Sequence, residues 1–309
     1  MTAATTPATG RWLRRLVLGI PYLWLAAFFL VPFLIVLGIS LAEAVLARPP
    51  YSAVITFDGG WPRFAGTLEN YAFLFSDRLY GLAYLNSLRM ALVASLGALA
   101  VAYPLAWAIA RAPAERQGLL LLLVVVPSWT SFLIRVYAWI GILAGNGYIN
   151  NALVALGVVG EPLQLLRTDF AVYVGIAYAY LPFMVLPIYA SLARLDWSLV
   201  ESALDLGATP FRCFRDIVLP LTRGGVVAGF LLMFIPATGE FVIPELLGGA
   251  DTLMIGKVLW QEFFNNRDWP IAAAVAVLLL ALLLVPIWLF YRYQLPATAG
   301  AAGLGGGRA

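Results

Sequence analysis

Four ionisable side chains stand inside or at the edge of long apolar runs: Arg89, Arg135, Glu240 and Glu245. A charge at membrane depth is costly, so it calls for a partner or a task. Two chemistries suit this set. One is a structural ion-pair cluster, with Arg135 or Arg89 neutralising Glu240. The other is a passage in which Glu240 attracts a cationic amine, an arginine keeping it ionised between passages. Rings at Trp129, Tyr137, Trp139, Tyr178 and Tyr180 could face such a cation, and packing against neighbours would explain them equally well. Bond-making chemistry has little to draw on. The chain has no histidine and one cysteine, Cys213. Disulfide frameworks, Cys/His zinc sites, histidine triads and histidine proton relays are therefore removed. Cys213 lies among Phe211, Arg212, Phe214 and Arg215 and reads as a small packing residue. A phosphate-binding G-x4-G-K-[ST] loop is also missing. At Gly256-Lys257 the first glycine position holds Asp251, and Val258 follows the lysine. No cofactor, metal or catalytic residue is expected on this chain.

Composition says what positions these groups. The 309 residues are 62% hydrophobic and 11% charged, with a mean hydropathy of +0.90. A soluble domain carries about 25% charged residues, so lipid must cover part of this surface. The net charge of +3 does not suggest nucleic acid. A spanning helix needs about 20 mainly apolar residues. Six stretches qualify: Leu16–Leu41, Leu82–Ala110, Gly118–Ala144, Phe170–Ala193, Gly224–Leu246 and Ile271–Tyr291. The first follows Arg11, Arg14 and Arg15, but it is longer than a signal-peptide core of about 7–15 residues. It is expected to stay as a membrane helix. Prolines within the spans are tolerated as kinks, and Pro182 and Pro187 are expected to bend the fourth.

Arginine placement orients the chain. One set of ends carries Arg11, Arg14, Arg15, Arg111, Arg116, Arg194, Arg212, Arg215, Arg223 and Arg292; the other is poorer. Both termini are therefore expected in the cytoplasm, with a short segment 1–15 before a six-span domain at 16–293. The Ala/Gly-rich tail 294–309 is expected to be disordered. At about 1.5 Å per residue, Arg89, Arg135 and Glu240 lie roughly 10–15 Å below the outer surface. Glu245 sits nearer that surface. Pro236 and Gly239 could break the fifth helix before Glu240, leaving carbonyls that also favour a cation.

The loop 194–223 is longer than a connector requires. Ser198 and Glu201 form a capping box that starts a short helix, with Leu199, Ala203 and Leu206 as its apolar stripe. Gly207 is placed to end it in a left-handed cap. Thr209 caps a second helix with Pro210 at its first position, and Pro220 is expected to break that helix before the fifth span. A docking surface for a soluble partner and an amphipathic helix lying on the membrane both fit.

Glu201-Ser202-Ala203, Gly207 and Ile217-Val218-Leu219-Pro220 resemble the E-A-A-x3-G-x9-I-x-L-P loop of type I ABC-importer permeases. One position departs, with Ser202 in place of alanine. Gly239 to Gly249, Met254-Ile255-Gly256 and Trp260 to Pro270 resemble the polyamine branch, putrescine-transport permeases in particular. The resemblance runs from the first span to the sixth. It implies an all-α integral membrane protein of the inner membrane with six transmembrane helices in the ABC transmembrane type-1 (MetI-like) fold. It further implies a second permease subunit, two copies of a cytoplasmic ATPase that bind ATP and Mg, and a periplasmic polyamine-binding protein. Carried over by position, Glu201, Ser202, Ala203, Asp205 and Gly207 would face the ATPase, with Ile217 and Pro220 anchoring the loop. Glu240, Glu245, Arg89, Arg135, Trp129 and Tyr180 become candidates for the pathway. The same machinery could carry spermidine, an opine or another small cation. A secondary carrier driven by an ion gradient is the alternative of a different class; such carriers often show internal repeats, and none is found here.

Overall fold

The computed structural model describes residues 8–58 and 61–303. Apart from one short hairpin it is helical. Among the described residues, six helices are long and apolar enough to cross a membrane. The chain divides into two compact units, residues 1–77 with 261–278, and residues 78–260 with 279–309.

The first unit opens with α1 (Ala8–Leu25) and α2 (Val31–Ser40), joined without a break by a π-turn at Ala26–Leu30. Pro32 explains that turn. Its nitrogen cannot donate, and just before it the Val31 amide donates to Ala26 O, one residue further back than in an α-helix. After the helix come β1 (Ile55–Asp58) and β2 (Trp61–Phe64), paired antiparallel, then α3 (Glu69–Ser76). The end of α2 would leave carbonyls unpaired. Asn70 Nδ2 donates to one of them, Ser40 O at 2.9 Å, and to Ala42 O just past the helix at 2.8 Å. Tyr71 adds a hydroxyl contact to Ser40 Oγ at 2.7 Å.

The second unit holds α4 (Arg78–Arg111), α5 (Ala114–Val125), α6 (Phe132–Leu143), α7 (Tyr148–Ala155), α8 (Asp169–Leu192), α9 (Ser198–Asp205), α10 (Pro210–Cys213), α11 (Leu219–Thr238), α12 (Val242–Leu247) and α13 (Ile255–Trp260). Its centre is the trio α4, α8 and α11. Lipid tails are as apolar as leucine, so close backbone approach has to supply the attraction. On α4 the buried positions Ala83, Ser87, Ala91, Ala94, Ser95, Ala98, Ala102 and Ala106 form one small-residue face. On α11, a Cβ at Gly225 would meet Pro187 O at 2.5 Å, and one at Gly229 would meet Met184 O at 2.8 Å. Tyr103 and Thr222 hydroxyls join α4 to α11 at 3.0 Å, both buried.

Three expected spans differ in detail. The third is broken. α5 ends in a 3-10 turn at Val126–Trp129 carrying Pro127, Thr130 is extended, and α6 starts afresh at Phe132. The fifth is not preceded by a break at Pro220. A π-turn at Phe214–Val218, closed by Leu219 N–H to Phe214 O, joins α10 to α11 in one helical run. Pro220 follows directly on that π-turn, which accommodates the donor its nitrogen lacks. The sixth, α14 (Trp269–Gly303), continues beyond its expected end into the tail. Of the tail expected to be disordered, 304–309 lie outside the described residues, as do 1–7 of the N-terminal segment.

Gly229 gives the packing a direct test. Gly229→Leu drives a side chain into the α8 backbone, an overpacking cost of about 1–3 kcal/mol or more. A lower thermal midpoint of the purified protein in detergent is expected; an unchanged midpoint contradicts close α8–α11 packing.

Candidate membrane site and the loop 194–223

The site begins where α11 stops. Thr238 is its last residue, and Gly239 to Phe241 connect it to α12. Four amides open every helix without an internal partner. Here Glu240 supplies the acceptor. Its Oε1 takes the N–H of Phe241 at 3.1 Å, Val242 at 3.0 Å and Ile243 at 3.5 Å. Its Oε2 accepts the Tyr180 hydroxyl from α8 at 2.5 Å. Glu240 is only 7% exposed. A carboxylate offers about four lone-pair positions. Three donors crowd Oε1, which leaves acceptor capacity on Oε2 beside Tyr180.

The expected ion pairs are not the ones formed. Arg89 pairs with Asp169 Oδ2 at 3.1 Å, not with Glu240. The reason is local. Asp169 opens α8 behind the Thr168 cap, and its other oxygen accepts Thr252 Oγ1 at 3.2 Å. Glu245 is paired with Lys257 Nζ at 3.0 Å, a partner the sequence reading passed over. The Arg135 side chain makes no hydrogen bond or ion pair among the described residues. Its Nε is buried without an acceptor, its guanidinium lies over the Phe132 ring at 5.8 Å, and its charge is within electrostatic reach of Tyr180. Glu240 is thus held by hydrogen-bond donors and by no arginine. Trp129 is 73% exposed and apart from this cluster.

The carbonyls expected to open toward a cation are instead covered. A Cβ at Gly256 would lie 2.3 Å from Gly239 O and 2.7 Å from Glu240 O, so α13 crosses them at its one residue without a side chain. Ser87 Oγ accepts the Ile255 amide at 2.7 Å and fixes that crossing. One turn on, Trp260 stacks on Phe241 with centroids 4.6 Å apart and planes at 11°. In the sequence Gly256 and Trp260 stand only within segments that carry the family resemblance; only the fold brings them to Glu240. Among the described residues no group of three or more His, Cys, Asp or Glu side chains could hold a metal.

The loop 194–223 keeps most of its expected form. Gly207 has φ +86°, and Ala208 N–H reaches back to Ala203 O at 3.0 Å, closing α9 in a left-handed cap. Thr209 Oγ1 accepts Arg212 N–H at 3.4 Å, with Pro210 opening α10. The capping box does not form. Ser198 is already helical and makes no cap bond; Asp196 Oδ1 accepts the Ser198 amide at 3.0 Å instead. Hydrogen bonding from the Ser198 hydroxyl and amide holds the Asp196 carboxyl below the usual aspartate range. Trp197 packs edge-on to Trp107 at 5.3 Å, and Phe214 packs on Tyr103 at 5.5 Å and Trp107 at 5.8 Å. Arg111 lies over Trp197 at 4.8 Å. This aromatic cluster ties the loop to the end of α4. Glu201, Ser202, Asp205, Gly207 and Pro220 are exposed, while Ala203 and Ile217 are half-buried. Leu206 is 90% exposed, and Leu199 and Phe211 are exposed with it.

Comparison with known proteins follows this geometry. The family profile described as "Binding-protein-dependent transport system inner membrane component" matches residues 3–298. The spermidine/putrescine transport system permease protein PotB of Escherichia coli (strain K12) is 41% identical over 268 residues, 86% of this chain and 93% of the relative. The protein of the same name in Haemophilus influenzae is 38% identical over 280 residues, 90% of this chain and 93% of the relative. Among solved structures, a chain of a bacterial alginate ABC transporter in complex with an alginate-bound periplasmic protein superposes with a TM-score of 0.67. It covers 91% of this chain and 93% of that one at 16% identity, which speaks to the fold alone. A chain of the MetNI methionine ABC transporter gives 0.52 at 18% identity, covering 70% of this chain and 94% of that one. The six-helix ABC permease fold is shared with both.

Tyr180→Phe removes one donor to Glu240 and little else. A hydrogen bond to a charged group contributes about 1.5–3 kcal/mol, so a lower thermal midpoint is expected, with Tyr178→Phe as the neutral comparison. Equal midpoints for both variants contradict the bond.

Proposed function

The chain belongs to the binding-protein-dependent transport system inner membrane component family, and on that premise we propose that it carries a polyamine, putrescine foremost, across the inner membrane. It works as one of two transmembrane subunits. Two copies of a cytoplasmic ATPase bind ATP and Mg and supply the energy; a periplasmic binding protein delivers the cargo. Both termini lie in the cytoplasm, which places the loop 194–223 on the ATPase side.

The observation that carries the reading is the Glu240 carboxylate, buried at the break between α11 and α12 with acceptor capacity left on Oε2. An alkylammonium needs such an acceptor and loses its hydration on entering. The Phe241–Trp260 stack beside it offers ring faces to the methylene chain and the charge. Polyamine cargo is also named for the relatives that share about two fifths of their residues with this chain. Arg89 and Glu245 are engaged in ion pairs of their own, so the reading rests on Glu240.

At the loop, Leu206 and Phe211 project as apolar knobs beside Glu201 and Asp205, a surface that suits a groove on the ATPase. Gly207 permits the sharp turn between the two short helices.

Reconstitution with the second permease, the ATPase and the binding protein tests the reading. Loaded binding protein should stimulate ATP hydrolysis with putrescine more than with spermidine; the reverse order makes spermidine the cargo. Uptake by the purified chain alone, driven by an ion gradient, would falsify the importer. In the same system Glu240→Gln should lower polyamine uptake by about tenfold, since about 1.4 kcal/mol corresponds to that factor, with assembly intact. Unchanged uptake removes Glu240 from the pathway. Leu206→Asp should leave the subunits able to fold and abolish the stimulated hydrolysis; full stimulation in that variant removes the loop from the ATPase contact.

A further inference from the structure

A π-turn inside a helix is a yielding point, where the backbone can exchange one hydrogen-bonding register for another; such turns recur at functional sites. The π-turn at Phe214–Val218 lies between the two short loop helices and α11. Any movement passed from the loop to α11 goes through it. Without a restraint, the turn would absorb that movement as a local slip.

α4 meets the turn with Tyr103, Trp107 and Arg111, whose four-residue spacing sets them on one helix face. Arg111 lies over the Trp197 ring, and Trp107 packs on Trp197 and Phe214. Tyr103 acts on the turn itself. Its ring stands edge-on to Phe214, the first residue of the π-turn, with centroids 5.5 Å apart. Its hydroxyl lies 3.0 Å from Thr222 Oγ1. Thr222 Oγ1 lies 2.8 Å from the carbonyl oxygen of Val218, the last residue of the turn. A threonine hydroxyl has one proton, and a carbonyl can only accept. Thr222 therefore donates to Val218 O, and Tyr103 donates to Thr222. Tyr103 is 8% exposed and Thr222 is fully buried, so an unmet proton here would carry the full cost of desolvation. One side chain thus holds both ends of the π-turn, by its ring at Phe214 and, through Thr222, by its hydroxyl at Val218.

We propose that Tyr103 and Thr222 are positioning residues for transport: they lock the π-turn, so that movement of the loop is carried along α11 to Glu240 and is not lost in the turn. This adds to the importer reading above, on which it rests, the residues through which the push passes. The hydroxyl relay ties α11 to α4 at the point where the helix could yield.

The test uses the reconstituted importer, with polyamine uptake and ATP hydrolysis measured together. Tyr103→Phe keeps the ring on Phe214 and removes the donor. Thr222→Val removes the relay, and Thr222→Ser keeps it. In the first two variants uptake per ATP hydrolysed should fall about threefold, the factor to which an average interhelical hydrogen bond in a membrane converts. Hydrolysis stimulated by the binding protein should persist. Thr222→Ser should keep the wild-type ratio. An unchanged ratio in both Tyr103→Phe and Thr222→Val overturns the proposal. So does loss of uptake and hydrolysis in equal proportion, the mark of a purely structural contact. Backbone hydrogen exchange of the purified chain reads the lock without the importer. Exchange across residues 214–222 should rise about threefold in Tyr103→Phe and Thr222→Val and stay at the wild-type level in Thr222→Ser; equal exchange in all four proteins overturns the lock. If exchange follows this pattern while the wild-type complex shows no stimulated hydrolysis, the importer reading fails and the lock stands.

Discussion

Inside lipid every peptide N–H and C=O must find its partner within protein, and this chain places many prolines under that rule. The ways it meets the rule decide its shape. Before Pro32 and Pro220 the helix widens into a π-turn and continues. At Pro127 it narrows to a 3-10 turn and stops. After Pro236 it ends at Thr238, whose hydroxyl donates to Phe234 O at 2.8 Å. The amides that begin α12 then need an acceptor, and the acceptor is Glu240. The buried carboxylate therefore ends one helix, starts the next and offers its other oxygen to Tyr180. A cap and a cargo site call for the same atoms in the same place.

Close packing makes that arrangement possible. Glycines on α11 let α8 approach until a Cβ would collide. Gly175 does the same for α12, where an added Cβ would meet Leu247 and Ile243 side chains at 2.6 and 2.8 Å. Gly256 brings α13 onto the carbonyls that the helix break sets free. Those carbonyls are therefore shielded, and the side chain of Glu240 is left as the acceptor a cation can use. On the proposed function, selectivity for a cation would come from one carboxylate and neighbouring rings, with no ring of backbone dipoles.

Apolar length made the six spans legible, since crossing hydrocarbon fixes how many residues must be greasy. The loop was legible where backbone geometry demands a residue type, as at Gly207 with its positive φ and at Thr209-Pro210. It was illegible where two side chains compete for one amide. Asp196, two residues before Ser198, reached the amide and displaced the capping box. Pro220 misled for a related reason. Proline forbids one hydrogen bond, and a π-turn avoids needing it. The ion pairs were the hardest to read. From sequence, an arginine was the natural partner of Glu240, yet Arg89 found Asp169 and Lys257 found Glu245. A tyrosine hydroxyl 60 positions away in sequence took the place expected of a cation.

The two halves of the proposed function are joined by one element. From Pro210 to Thr238 the backbone is helical without interruption, 29 residues in all. At about 1.5 Å per residue that is a rod of roughly 43 Å. Its lower end is the loop held by Trp107, Trp197 and Phe214; its upper end is Gly239 and Glu240. Had Pro220 broken the helix, a hinge would separate loop from site and a push at one end would dissipate there. With the π-turn the rod remains whole, though a π-turn is also a place where a helix can shift register. A movement imposed on the loop must therefore reach Glu240 as displacement of the helix end, and there it acts on a hydrogen-bond set shared between α8 and α12. Tyr180 belongs to α8 and the amides to α12, so motion of α11 relative to α8 changes the two faces of the carboxylate unequally. On the proposed function, that inequality is the step that would convert a push into a change of affinity for a cation.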